Sequence, residues 1–337
     1  MDKKKVKKLE EYKKEKGQMA LFGFLELEKT EKEKQIYSNT VELYDFIPKY
    51  VWTRRIKRIN GQFLLPLKRE FEHRGVRYKV IITPARIEDR NGVVKDRFPG
   101  EREELVEDAL RKLACYGKGY FLDEEASVVF DIKDLREELA DVGHTFSFDE
   151  IKEALYICAK TNIEVITENG EAVFISNLFE TLLLQPWSEW SRKRKDPSSY
   201  VRFNSLVTGS IKRRTFRQLD YKTCMSYNHI LARWLHKRMS HFYTQASALF
   251  PYHIMLSTII RDSSVTAYKR MGDNFIQIRN ALDEMKEKEV VRRYEDEKIY
   301  EGRKLVDVKF TIHPHPLFVQ KIIIANDRIK HILNLPK

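Results

Sequence analysis

A chain of 337 residues with 42% hydrophobic content is long enough for two or three cores, so folded domains are expected rather than a disordered chain. The formal charge of +12 and pI near 9.3 favour a polyanionic partner, because Lys and Arg that neutralise phosphates release condensed counterions. No apolar run approaches the ~18 residues of a spanning helix, and Cys115, Cys158 and Cys224 are odd in number and widely spaced, which excludes a disulfide frame and predicts reduced core thiols in a cytoplasmic protein with no membrane association.

Residues 1–40 are dominated by Lys and Glu and read as a flexible basic tail with one apolar island at 19–27; Glu26 interrupts that island and no small-residue cleavage site follows, so no secretory signal is expected. Order is predicted to begin near Val41. Ile47, Tyr50 and Trp52, then 63–67 and 76–82, alternate with basic residues and predict strands of a small sheet. A helix over 101–116 turns Leu105, Ala109, Leu110 and Leu113 inward. A strand at 128–130 follows, then a helix capped by Asp131 with Ile132, Leu135, Leu139 and Val142 on one face, ended by Gly143. The next helix, to residue 160, opens with Ser147 three residues before Glu150, a capping box. Strands at 163–166 and 172–175 are joined by Asn169-Gly170, which suits a type I′ turn.

Between Pro186 and Pro197 the composition shifts to Ser, Trp and the basic run at 192–195, the best domain boundary. A strand over 200–211 runs into the cluster Lys212, Arg213, Arg214 and Arg217. A long helix over 220–241, a short one over 253–261, a helix opening with Asn274 three residues before Gln277, strands at 290–294 and 305–312, and a helix over 316–333 complete the chain. Two helices share one apolar stripe: Phe148, Ile151, Ala154, Leu155, Cys158 and Phe275, Ile278, Ala281, Leu282, Met285. Each has a helical segment before it and a hairpin after it, the order of a winged helix. The expected fold class is therefore α+β: tandem winged-helix domains over 41–188 and 198–337 behind the tail 1–40.

The segment Asp131-Ile132-Lys133-Asp134-Leu135, Gly143-His144-Thr145-Phe146-Ser147 and Glu150-Ile151-Lys152-Glu153-Ala154-Leu155 resembles the first winged helix of bacterial plasmid replication initiators. Val201-Arg202-Phe203-Asn204-Ser205-Leu206-Val207 resembles the strand that opens their second one, and Phe310-Thr311-Ile312-His313-Pro314 to Phe318-Val319, with Asn326 beyond, resembles the family's close. The resemblance covers about Tyr44 to Ile329. It implies binding of origin repeats (iterons) in double-stranded DNA, opening of an AT-rich stretch, recruitment of host helicase and initiator, a homodimer in the free form, and a role in plasmid copy control. It implies no nucleotide hydrolysis and no nicking; the chain has no GxxxxGK[ST] loop, so no enzyme activity, cofactor or metal is expected.

The first recognition-type helix offers Lys152, Tyr156 and Lys160 among acidic neighbours. The second offers Gln277, Arg279, Asn280 and Lys286, and since Arg pairs with guanine and Asn or Gln with adenine in the major groove, it is the better base reader. Lys212, Arg213, Arg214 and Arg217 are expected phosphate contacts. Winged helices also serve as interaction modules, so a dimer or phosphate-positioning role for the first one stays open, as does a transcriptional repressor built from the same modules. His313-Pro314-His315 could mimic the His pair of a nicking enzyme, but Pro between the histidines denies a central strand its N–H and no tyrosine follows Tyr300. In the tail, Gln18-Met19-Ala20-Leu21-Phe22 resembles the short peptide that docks on the replicative sliding clamp; Gln18 would be the polar anchor, with Met19, Leu21 and Phe22 the apolar contacts.

Overall fold

The computed structural model describes residues 37–52, 56, 58–61, 63–88, 91–122, 124–184, 199–265 and 267–334. The expectations for Gln18, Met19, Leu21, Phe22 and the basic run at 192–195 lie outside them. The architecture is α+β. Strand β1 (Tyr37–Val41) precedes a short 3-10 turn at Tyr44–Phe46, so Ile47, Tyr50 and Trp52 lie in an extended stretch rather than in a strand. β2 (Leu67–His73) and β3 (Val76–Thr83) form a hairpin whose two-residue turn, Arg74-Gly75, has φ of 52° and 76°, the left-handed pair that suits a right-twisted ribbon. β4 (Ala85–Glu88) and β5 (Val94–Arg97) make a second hairpin.

Helix α1 (Glu101–Leu113) buries Leu105, Val106, Ala109 and Leu110 and ends three residues earlier than predicted, in a wider π turn at Ala114–Lys118. β6 (Gly119–Leu122) and β7 (Glu125–Phe130) lead into α2 (Ile132–Asp141), where the Asp131 carboxylate accepts the Lys133 N–H. Gly143 (φ 94°) closes it: its N–H bonds the Ala140 carbonyl at 3.0 Å and that of His144 the Leu139 carbonyl at 2.8 Å. In α3 (Phe148–Lys160) the predicted capping box is present, with Ser147 and Glu150 bonded reciprocally. β8 (Asn162–Thr167) and β9 (Val173–Asn177) follow, but their turn is longer than expected. Only Gly170 is left-handed there (φ 72°), because Asn169 Oδ1 accepts from Thr167 Oγ1 and from the Glu171 N–H, which ties it into a side-chain turn.

β10 (Phe179–Leu183) pairs with β11 (Ser199–Phe203), which pairs with β7. The strand predicted over 200–211 stops at Phe203, since the Asn204 side chain accepts the Leu206 N–H and starts α4 (Ser205–Arg213). β12 (Phe216–Asp220) pairs with β1. The long helix expected over 220–241 is two helices, α5 (Tyr221–Met225) and α6 (Ile230–Phe242). Between them the N–H groups of Asn228 and His229 turn to the Glu284 carboxylate at 2.7 and 2.8 Å. The segment expected as a helix over 253–261 begins as strand β13 (Tyr252–Met255) before α7 (Leu256–Asp262). Helix α8 (Met271–Glu287) starts earlier than predicted, so Asn274 is no cap; its buried amide instead bonds the N–H and carbonyl of Tyr268. β14 (Val291–Glu301), β15 (Lys304–Pro314) and α9 (Pro316–Asn334) close the chain.

The strands form sheets in the orders β2-β3-β8-β9, β10-β11-β7-β6 and β13-β15-β14, with the pairs β1-β12 and β4-β5. Apolar side chains collect in two cores, one running in sequence from Val41 to Met225 and the other from Tyr227 to Ile322, with Trp52 packed against both. The residues from β11 to α5, read from the sequence with the second unit, therefore bury Val201, Phe203, Val207, Ile211 and Phe216 in the first core. The reason is the β7–β11 pairing, a contact distant in sequence.

A charge ladder, buried except at Glu101, joins the two cores. Glu101, Glu104 and Asp108 on α1 face Arg233 and Lys237 on α6: Arg233 lies 3.0 Å from Glu101 and 3.6 Å from Glu104, and Lys237 3.1 Å from Glu104 and 2.5 Å from Asp108. Burial alone would lower the Lys237 ammonium's pKa, yet Asp108 and Glu104 raise it above its ordinary value. Arg111 adds a paired contact to Asp45 and one at 3.3 Å to Glu107. Removing Lys237 leaves the Asp108 carboxylate buried without its cation and Glu104 with Arg233 alone, at 3.6 Å. We expect Lys237→Ala to cost about 3–5 kcal/mol of unfolding free energy in denaturant titrations, and Lys237→Met combined with Glu104→Gln and Asp108→Asn to recover most of it; equal stability of Lys237→Ala and the parent would contradict the ladder.

Two histidines of α6 are buried as neutral rings. His236 donates to or accepts from the Tyr227 hydroxyl at 3.0 Å, and His241 shares a hydrogen bond of 3.2 Å with Thr40 while packing edge-on against Phe46. Burial lowers the pKa of His236 to about 4 and that of His241 to about 3 from an ordinary 6.5. Their contribution is complete above pH 6.5 and is lost as pH falls from there toward the folded values. Unfolding free energy should decline by up to ~1.4 kcal/mol per pH unit per histidine below that point, and His241→Gln should make the decline between pH 6.5 and 5.5 shallower.

Candidate nucleic-acid interface

Helix α8 divides cleanly. Phe275, Ile278, Ala281, Leu282 and Met285 are buried in the second core, while Ile276, Arg279, Asn280, Asp283 and Lys286 share the exposed stripe. Gln277 is half-buried, and its amide donates to the Tyr268 hydroxyl at 2.7 Å. Arg279 is anchored at its root: its guanidinium lies 5.5 Å from the Phe275 ring centre, and its Nε is 3.5 Å from the Tyr294 hydroxyl, which itself donates to Asp283 at 2.8 Å. The Lys298 ammonium lies 5.1 Å from the centre of the same Phe275 ring. Strand β14 thus lends Tyr294 and Lys298 to the helix surface. Sequence reasoning missed both, although their even spacing along a strand that directly follows α8 was the available signal.

The β14–β15 hairpin is long and largely free. Each strand has 11 residues, roughly 36 Å when extended, and Gly302 (φ 61°) closes the turn. Strand β13 covers only Lys309 to Ile312 of β15 and Ser257 of α7 holds the Asp307 carboxylate at 3.0 and 2.6 Å, so the part beyond that point stands out as a two-stranded ribbon carrying exposed Tyr300, Arg303 and Lys304. Helix and ribbon together present hydrogen-bond donors and cations on one side of the second core.

The surface around α3 is different. Tyr156 and Lys160 are exposed, Lys152 is half-buried, and Glu153 is held by Arg102 at 2.9 Å and Arg97 at 3.8 Å. The hairpin β4–β5 packs along this helix, with the Lys160 ammonium 3.5 Å from the Arg86 carbonyl, so Arg86 and Arg97 belong to the surface as well. Arg86 pairs with Asp96 at 3.0 Å. The β8–β9 hairpin is stitched on one side to β3, which leaves it little freedom to project.

The basic cluster after α4 separates into two kinds. Lys212 and Arg213 are exposed in the last helical turn, where positive charge suits the helix dipole; Lys212 lies 3.6 Å from Glu124, and the Arg213 guanidinium lies across Gly209. Arg214 is the left-handed cap (φ 59°). Arg217 is turned inward instead: its Nε donates to the Ser240 carbonyl at 3.1 Å and its terminal nitrogen to Asn326, and burial lowers its pKa. The cluster belongs to the first core and α8 to the second, so Lys212, Arg213 and Arg214 are carried by a different unit from Gln277, Arg279, Asn280 and Lys286.

His313 and His315 are spent locally. The first sits 3.6 Å from Glu295, and the second accepts the Leu317 N–H at the start of α9, with Pro314 at the last register pair of β15. Burial pushes the thiols of Cys115, Cys158 and Cys224 up, which makes them poor nucleophiles. Among the described residues no group of three His, Cys, Asp or Glu side chains could hold a metal ion, and no helix is long and apolar enough to cross a membrane.

No protein-family model and no curated protein sequence matches the chain. Among solved structures it is similar to RctB domains 2-3 (12% identity, 84% of this chain and 99% of that one, TM-score 0.48) and to a selenomethionine form of domains 2 and 3 of RctB (14%, 81% and 96%, 0.46). It is also similar to the Pi initiator protein in complex with iteron DNA (13%, 64% and 91%, 0.44).

The inward and outward basic residues are separable by experiment. Arg217→Ala should lower unfolding free energy by about 1–3 kcal/mol through its orphaned partners, whereas Lys212→Ala and Arg213→Ala should stay within about 0.5 kcal/mol of the parent, both read from denaturant midpoints.

Proposed function

We propose that this chain is a sequence-specific double-stranded DNA-binding protein of the plasmid replication initiator kind, acting through two winged helices without cleaving DNA or hydrolysing nucleotide. The observation that carries the reading is the exposed stripe of α8, Arg279, Asn280 and Lys286, set beside a projecting β14–β15 ribbon on a chain of net charge +12. In this reading α8 enters the major groove, Arg279 and Asn280 read base edges, and the ribbon tip follows the adjacent backbone. The repeated order of helix, helix and hairpin in α2-α3-β8-β9 and α7-α8-β14-β15 supports two such units on one chain. The α3 surface, with its mixed charges, then positions phosphates or serves a second copy of the chain, and host replication proteins complete the assembly.

Binding of the full chain to DNA from the replicon that encodes it tests this, with footprinting to locate the site. Protection of tandem repeats beside an AT-rich tract is expected; a single operator over a promoter would point to repression instead. Arg279→Ala or Asn280→Ala should weaken specific binding by ~1–3 kcal/mol with nonspecific binding nearly intact. Equal loss on cognate and random duplex would remove α8 from the role of reader. Neutralising Lys212 and Arg213 should instead flatten the dependence of log K on log salt.

A further inference from the structure

A groove of about 390 Å³ runs between β2–β3 of the first unit and α7 of the second, lined by Lys68, Arg69, Glu70, Lys79, Arg261 and Ser263 together with Ile260 and Val265. Its cations come from both sides of the seam. Lys68 and Lys79 are exposed on the outer face of the sheet, diagonal neighbours across the β2–β3 register, roughly 7–8 Å apart. Arg69 lies beneath them, and its guanidinium is held by carbonyls alone: Pro48 at 2.9 Å, Tyr50 at 2.6 Å and, across the seam, Ser264 at 3.1 Å. Carbonyls satisfy its donors without neutralising its charge. Among the described residues no carboxylate lies within ion-pair distance of Lys68, Arg69 or Lys79, and burial alone holds the Arg69 pKa down to about 10. Arg261 is fixed in place by Glu72 at 3.0 Å and Asp262 at 2.7 Å.

The backbone contributes as well. On an antiparallel strand alternate N–H groups point to the same edge. The Glu72 N–H leaves β2 on the side of α7, where it meets the Asp262 carboxylate at 3.0 Å. By that parity the N–H groups of Lys68 and Glu70 point into the same groove. Backbone donors and two flexible ammonium groups, with the charge of the buried Arg69 guanidinium on the inner face of the same strand behind them, are the components of an oxyanion site.

We propose that this groove binds a phosphate group, held by Lys68, Lys79 and the β2 backbone of the first unit against the Ser263 side of the second. Glu70 and Glu72 set a limit on how many negative charges fit, which favours one or two phosphates over a longer polyanion. The inference stands apart from the reading of α8 as a base reader, since it uses other residues on other elements.

The test titrates inorganic pyrophosphate into the full chain by calorimetry, with chloride at matched ionic strength as the reference. Saturable binding and a rise in melting temperature are expected, because a ligand that binds only the folded state stabilises it. Lys68→Gln with Lys79→Gln, two exposed positions that leave the Arg69 carbonyl clamp intact, should weaken binding by roughly tenfold or more with an unchanged circular dichroism spectrum. Absence of saturable binding beyond the chloride reference, or unchanged affinity in the double variant, would overturn the proposal. Saturating the protein with duplex DNA first identifies the source of the phosphate: competition assigns the site to a DNA backbone phosphate, and independent binding assigns it to a small phosphorylated molecule.

Discussion

Everything in this molecule hangs on the charge ladder between α1 and α6. These helices carry the two cores, and the faces they turn toward each other are ionic: Glu101, Glu104 and Asp108 on one, Arg233 and Lys237 on the other. Such an interface gives modest net stability, because desolvating the ions offsets most of their attraction. What it supplies is register. A shift of either helix by one turn would leave an unmatched charge in the interior, so the ladder admits one arrangement of the units and penalises its neighbours strongly. Around it, Arg69 reaches from β2 to the Ser264 carbonyl, and the α9 residues Lys321, Asn326 and Arg328 hold Asp220, Arg217 and Gln218 near β12. The seam is largely polar, with Trp52 and the Phe46–Phe242 ring contact, 4.6 Å between centroids, as its apolar pins.

The two helix-hairpin units meet that constraint in different ways. In the first, β8 is annexed by β3, and the hairpin β4–β5 lies along α3, so both the ribbon and the helix are partly covered. In the second, β13 covers only the base of β15, and α8 presents an open stripe. Similar apolar stripes thus support unequal surfaces. The inequality follows from what each unit is packed against rather than from the helices themselves.

Much of the candidate site is legible in the sequence. The capping box at Ser147, the cap at Asp131, the stop at Gly143 and the apolar stripe of α8 are local signals, and the residues opposite that stripe are necessarily its outward face. Arg279, Asn280 and Lys286 follow from that pattern and are exposed. Arg217 shows where local reasoning ends. Charge and position group it with Lys212, Arg213 and Arg214, but Ser240 and Asn326, distant in sequence, draw it inward. Asn274 is a similar case: its capping spacing is real, yet Tyr268 takes its amide and the helix begins a turn earlier.

By itself the sequence determined the helices α1, α2, α3, α8 and α9 to within a turn, their buried stripes, the caps at Asp131 and Ser147, the β8–β9 and β14–β15 hairpins and the net charge, because each depends on residues within a turn or two of one another. Only the tertiary structure decided which strands pair, where one core ends and the next begins, which basic residues face water, and that acids on α1 meet bases on α6. The pairing of β11 with β7 and of β12 with β1 moved the residues from β11 to α5 into the first core against the composition break at Pro186 to Pro197. Those outcomes are set by long-range burial and charge matching, free energies that exist only once segments distant in the chain have met.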